Sequence, residues 1–241
     1  MNHSQNVHPH KPVAVEATTQ DPNSLSMALR ERTRQAHTRA ERHPQQARLV
    51  KGEATRAQYA AWLGQMLPVW REVDRGLVVN AAHDPRVGAM LHPYHAHAGR
   101  IEADLAYLGE SAQGHEMTPA TRRMCELVAS EANAAEPGIV GIWYVLEGSA
   151  NGGKYIARAI SKSMHIPGPE GLMSLDPHGE AQRERWERWR RELDSQGWSE
   201  AERAKIIEAA NATFDGIYEL LEDLDRSTGD GAATGGAMRA R

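Results

Sequence analysis

From Ser199 onward the apolar residues Ile206, Ile207, Ala210, Phe214, Ile217, Leu220 and Leu221 recur at mostly three- and four-residue intervals. That is the period at which side chains return to one face of an α-helix. Ser199 followed by Glu202 supplies a capping-box start signal just ahead of the stripe. The same period fills most of the chain and no strand-like alternation competes with it, so the expected class is all-α. The start signals predict helices from Asn23–Ser24 to about Arg42, and from Thr55 through Tyr59, Trp62, Met66, Trp70, Val73 and Leu77 with a kink at Pro68. Others are predicted from about Tyr94 to Leu108, from Thr118 with Pro119 in its first turn, from Gly138 to Met164, and from His178 to Asp194.

With 241 residues, 40% hydrophobic and 25% charged, the chain can bury one sizeable core, and a single domain is expected. A net charge of −4 provides no basic field for nucleic acid, so anion recognition falls to individually placed Arg and Lys. Cys125 is the only cysteine, which excludes an intrachain disulfide and a thiolate cluster and suits a reducing, cytoplasmic location. Residues 1–24 carry His3, His8 and His10 but no apolar export signal, and no run reaches the roughly 18 apolar residues of a membrane span. Residues 1–24 and 226–241 read as disordered tails around a helical domain at 25–225, with the three tail histidines on a solvated arm.

Two segments carry chemistry. Arg30, Arg34, His37 and Glu41 are spaced by four, three and four residues, which stacks them on one helix face. A metal-ligating imidazole needs a partner on its second ring nitrogen, which Glu41 one turn later can supply, and the arginines put positive charge at one end of the stripe. The same spacing also describes a solvated surface helix.

The second segment, Tyr-Val-Leu-Glu-Gly-Ser-Ala-Asn-Gly-Gly-Lys at 144–154, places three glycines in a helical pattern. Each costs about 1 kcal/mol relative to Ala in a helix interior, so a gain elsewhere is implied. Gly148 and Gly152 share one face and Ser149 and Gly153 another, leaving a strip of nearly bare backbone. Such a strip admits a flat ligand or a closely packed helix. The spacing is not that of a phosphate-binding P-loop.

These segments together resemble the heme oxygenase family, in its bacterial, biliverdin-producing form. Leu-Arg-Glu-Arg-Thr-Arg-Gln-Ala-His-Thr-Arg-Ala-Glu, residues 29–41, is similar to the family's proximal helix and 144–154 to its distal helix. The resemblance runs from about Ser24 to Leu224, through Lys51–Arg56, Glu102–Gly109 and Ala210–Phe214. It implies a single-domain, heme oxygenase-like multi-helix bundle with heme sandwiched between proximal and distal helices. His37 would be the axial iron ligand and Glu41 its partner. Arg30, Arg34, Thr33, Tyr144, Lys154, Arg190 and Phe214 would surround the heme, and Gly148, Ser149, Gly152 and Gly153 would form the catalytic distal wall. Ser149 stands where animal members carry an Asp that organises pocket water.

The resemblance also implies an activity: oxidative cleavage of heme, at once substrate and cofactor, to biliverdin with O2, releasing ferrous iron and CO. No flavin or nicotinamide fingerprint is present, so electrons would come from an external ferredoxin or reductase. A biliverdin-accepting protein is a further implied partner. Two other classes compete with this reading. A non-heme di-iron oxidase would need carboxylates and histidines from several helices, often as Glu-x-x-His, yet no Glu lies three residues before any of the 12 His, and His92, His95 and His97 read as incidental to a loop and helix start. A non-catalytic heme or tetrapyrrole-binding protein would keep His37 without turnover.

Overall fold

The computed structural model of the chain describes residues 23–134 and 136–234, with side chains through Ser227. Residues 1–22 and 235–241, most of the two expected tails, lie outside the described residues. Every regular element among the described residues is helical: α1 Leu25–Arg32, α2 Arg34–Glu41, α3 Pro44–Lys51, α4 Arg56–His83, α5 Pro85–Met90, α6 Ala98–Tyr107, α7 Pro119–Asn133, α8 Gly138–Met164, α9 Gln182–Asp194 and α10 Glu200–Thr234, with short 3-10 turns at Pro93–His95 and Gly179–Ala181. The last helix runs past the domain end expected at residue 225.

The helix starts follow their caps. Thr55 and Gln58 form a reciprocal capping box at α4, Thr118 Oγ1 accepts from the Thr121 amide at α7, and Ser199 with Glu202 closes a second box before α10. Pro68 sits inside α4, which continues through it. In place of one helix to Arg42 there are two, because Thr33 donates its hydroxyl to the Leu29 carbonyl at 2.8 Å and relaxes its own ψ to −2°. The amide bonds Thr33 to Leu29 and His37 to Thr33, both 2.9 Å, keep the chain on course across the interruption. Helices α3 and α5, each short and opened by a proline, have no counterpart among the expected helices. α6 and α9 begin later than expected, at Ala98 and Gln182. The true start of α6 is set by Asp74 of α4, whose carboxylate accepts from the amides of His97 and Ala98.

The core lies where α8 packs along α10 and against α4, while α4 also carries α6 and α7. Every residue from Gly138 to Trp143 is buried, so the start of α8 is apolar around its whole circumference. A long connection from α8 to α9 crosses this core and is pinned from beneath. Tyr59 Oη donates to the Gly171 carbonyl at 2.9 Å, and the Asp104 carboxylate accepts from the amides of Met173 and Ser174, both at 2.8 Å, and from the Ser174 hydroxyl.

At the α8–α10 crossing a side chain at position 141 would place its Cβ 2.0 Å from the Ile206 carbonyl oxygen. Only glycine lets the two backbones meet there. Gly141→Ala is expected to destabilise the protein by about 2–3 kcal/mol through overpacking, read as a lowered urea midpoint with unchanged helical circular dichroism.

Candidate functional site

His37 emerges from α2 with its side chain 51% exposed. Its ring meets the edge of buried Phe214 from α10, centroids 5.4 Å apart, and its Nδ1 lies 3.4 Å from Glu41 Oε2. Nε2 makes no hydrogen bond among the described residues. The expected neighbours diverge from here. Arg34 turns to Glu31 at 2.8 Å, and Thr33 is buried with its hydroxyl committed to backbone. Arg30 instead lies close enough to α8 to act on Tyr144. Burial pushes that phenol's pKa up, and the charges of Arg190 from α9 and Arg30 from α1 oppose the shift. Three of the expected site residues, from three helices, therefore share one electrostatic neighbourhood.

The glycine strip is less bare than the sequence suggests. Trp186 of α9, stacked on Trp189 at 5.4 Å, lies against Gly148, with an indole carbon 3.1 Å from where a Cβ would stand. Gly153 is closed by the Leu175 carbonyl oxygen, 2.1 Å from its absent Cβ. Close packing accounts for these two glycines. Gly152 differs, being exposed with no neighbouring atom within 4 Å of that position. Ser149, also exposed, donates its hydroxyl to the Leu146 carbonyl at 2.6 Å. Lys154 sits 5.2 Å from the ring centroid of Tyr155, the next residue of α8.

A second cluster was not legible. His97, Glu147 and His178 are all buried, and their ligand-type atoms lie within 4.8 Å of one another. His97 Nε2 is 2.9 Å from one Glu147 oxygen and His178 Nε2 is 2.6 Å from the other. Burial opposes ionisation of Glu147, but these contacts from His178 and His97 outweigh it and hold the carboxyl well below the usual carboxylate range. His97 is therefore part of a core network rather than incidental to a loop. Its partners are 50 and 81 residues away in sequence, and no local motif joins them. Beside it, burial depresses the His95 pKa to about 3, and its ring packs edge-on against Trp143 at 4.8 Å.

The heme oxygenase family model matches residues 23–223. A heme oxygenase of Takifugu rubripes is 25% identical over 215 residues, covering 87% of this chain and 77% of that protein. Heme oxygenase 1 of Homo sapiens is 24% identical over 210 residues, covering 84% and 72%. Among solved structures, heme oxygenase-2 from Synechocystis sp. PCC 6803, in complex with heme and NO, superposes with a TM-score of 0.78 at 23% identity, covering 84% of this chain and 86% of that one. The chain belongs to the heme oxygenase family. Membership brings heme as the ligand and heme degradation as the class of activity. No helix among the described residues is long and apolar enough to cross a membrane.

The unequal surroundings of the two adjacent glycines give opposite expectations. Gly152→Ala should be neutral or stabilising by up to about 1 kcal/mol from helix propensity. Gly153→Ala should destabilise by about 2–3 kcal/mol, because a backbone carbonyl cannot be displaced cheaply. Thermal melts of the two variants side by side check both signs.

Proposed function

We propose that this protein opens heme to biliverdin, releasing ferrous iron and CO, with O2 as oxidant and electrons from an external ferredoxin or reductase. The observation that carries the proposal is His37: a half-exposed imidazole on a helix of the family's matched region, with Nε2 unengaged and Nδ1 facing Glu41. The donor set suits heme. A neutral imidazole whose second nitrogen meets a carboxylate has a fixed tautomer and raised basicity, the usual arrangement for an iron-ligating histidine. Glycine at 152 leaves α8 without a side chain where a flat ligand would approach it.

When bound, heme supplies both the iron at which O2 is activated and the ring that is oxidised. His37 would ligate that iron through Nε2, and Phe214 would restrict rotation of the imidazole. Arg30 and Arg190 would pair with the propionates, with Tyr144 between them. Arg34 and Lys154, directed toward Glu31 and Tyr155, would contribute less, and Thr33 would set the course of the helix rather than touch the ligand. On the distal side Gly148 and Gly153 would hold the wall in position, while Gly152 and Ser149 would face the ligand. Because the Ser149 hydroxyl proton is committed to Leu146, its oxygen is left to accept from an ordered water. The protein would act in the cytoplasm, passing biliverdin to an accepting protein.

Hemin titration of the purified protein, followed by ascorbate or a ferredoxin system under air, tests this. The expected result is stoichiometric binding, decay of the Soret band and growth of biliverdin absorbance. Hemin bound without biliverdin would leave a carrier instead. In His37→Ala the fold should persist and the axial-ligand spectrum should vanish; unchanged heme spectra would remove His37 from the iron.

A separate expectation concerns seating. Arg30→Ala and Arg190→Ala should each alter the ratio of biliverdin isomers, whereas Arg34→Ala should leave it unchanged. Chromatography of the products distinguishes the three.

A further inference from the structure

The network around Glu147 continues outward at both ends. Arg100 Nη1 donates to His97 Nδ1 at 3.3 Å, and Arg185 Nη1 donates to His178 Nδ1 at 2.8 Å. Arginine has no acceptor, so each Nδ1 must present a lone pair, and each ring then carries its proton on Nε2, directed at Glu147. The chain Arg100–His97–Glu147–His178–Arg185 is thus satisfied from end to end by one assignment of protons. A metal bound at the same Nε2 atoms would force protons onto both Nδ1 atoms, against arginine donors. The separation of the three side chains resembles a metal triad, but the outer partners have the wrong polarity for one.

The network joins α8 to the start of α6 and to the connection before α9. His97 stands immediately before α6 and Trp70 of α4 covers its ring at 4.2 Å. His178 lies on the connection before α9. Arg100 also donates to the carbonyls of Ala96 and Tyr94, and Arg185 lies over the Tyr94 ring at 4.3 Å. All of it converges on Glu147, the residue directly before Gly148 and Ser149. Between the close backbone approaches at Gly141 and Gly153, Glu147 is the buried charged side chain that ties α8 to both segments.

We propose that Glu147 is a positioning residue: held by His97 and His178, and through them by Arg100 and Arg185, it fixes the rotational setting of α8 so that Ser149 and Gly152 face the ligand. The role toward a ligand rests on the heme oxygenase function proposed above; the latch itself is a property of the ligand-free protein. Glu147→Gln breaks it, because an amide nitrogen meets one imidazole N–H, and reversing that ring's tautomer sets its other nitrogen against arginine. His97→Ala removes one anchor, while His97→Gln keeps a donor for Glu147.

The test is hydrogen exchange on the ligand-free protein. Amides from Gly148 to Gly153 should exchange about tenfold or more faster in Glu147→Gln and in His97→Ala, with α4 unchanged and His97→Gln close to the parent protein. Nitrogen-15 spectra should show both rings as Nε2–H tautomers, unaffected by added zinc chloride. In hemin-loaded Glu147→Gln, the rate of biliverdin formation should fall while hemin affinity stays within about threefold. Unchanged exchange at 148–153, exchange raised uniformly along the chain, or stoichiometric zinc binding lost in His97→Ala would each overturn the latch. None of these outcomes bears on whether hemin binds through His37, so the two proposals fail separately.

Discussion

The arrangement depends on how closely other parts of the chain approach α8. At Gly141 a carbonyl of α10 lies where a side chain would begin, at Gly153 a carbonyl of the α8–α9 connection does the same, and at Gly148 an indole of α9 closes the surface. Interiors are packed too tightly for such approaches to be adjusted one at a time. Each neighbour fixes the azimuth of α8 from a different side, and the exposed remainder, Ser149 and Gly152, is what they leave uncovered. The candidate distal wall is thus defined by what the rest of the core does not occupy.

Buried carboxylates perform the complementary task of holding irregular segments against regular ones. Asp74 reaches from α4 to the first amides of α6, Asp104 from α6 to the connection before α9, and Glu147 from α8 to histidines on both. Burial raises the carboxyls of Asp74 and Asp104; amide donors oppose the shift at Asp74, and the Ser174 hydroxyl with amide donors opposes it at Asp104. Charge-assisted hydrogen bonds contribute about 1.5–3 kcal/mol apiece, while an isolated buried carboxylate would be far too costly to keep ionised. Each acid therefore sits where its oxygens meet two or more donors from backbone, hydroxyl or imidazole groups.

How much of this the amino-acid order reveals follows from the range of the physics involved. Caps act within four residues, so the starts of α4, α7 and α10 were readable from Thr55, Thr118 and Ser199, and the apolar run of α8 from Gly138 to Met164. The interruption at Thr33 comes from a single hydroxyl's choice of acceptor, which the periodicity does not encode. Within the candidate site, i, i+4 spacing brings Glu41 to His37. Which glycine meets an indole and which meets solvent depends on the packing of α9 and its connection, information absent from residues 144–154 themselves. The Trp186–Trp189 spacing was the available hint, since two indoles one turn apart need a small residue opposite. Nothing comparable announces Glu147, whose partners lie 50 and 31 residues away on either side.

The two walls of the candidate site differ in their support. Within α2 only Ala40 is buried, and the helix is held through contacts such as Arg39 with Asp215 and Tyr218 at the surface. Exposed ion pairs of that kind contribute little, and a short helix with one buried residue opens at small free-energy cost. α8 by contrast is closed by backbone carbonyls at Gly141 and Gly153 and by an indole at Gly148, and is braced by a buried carboxylate. On the heme reading proposed above, accommodation of the ligand would fall to the His37 side, where a single residue of α2 is buried. The α8 side would offer fixed geometry, and its packing rather than the ligand would set where the macrocycle rests.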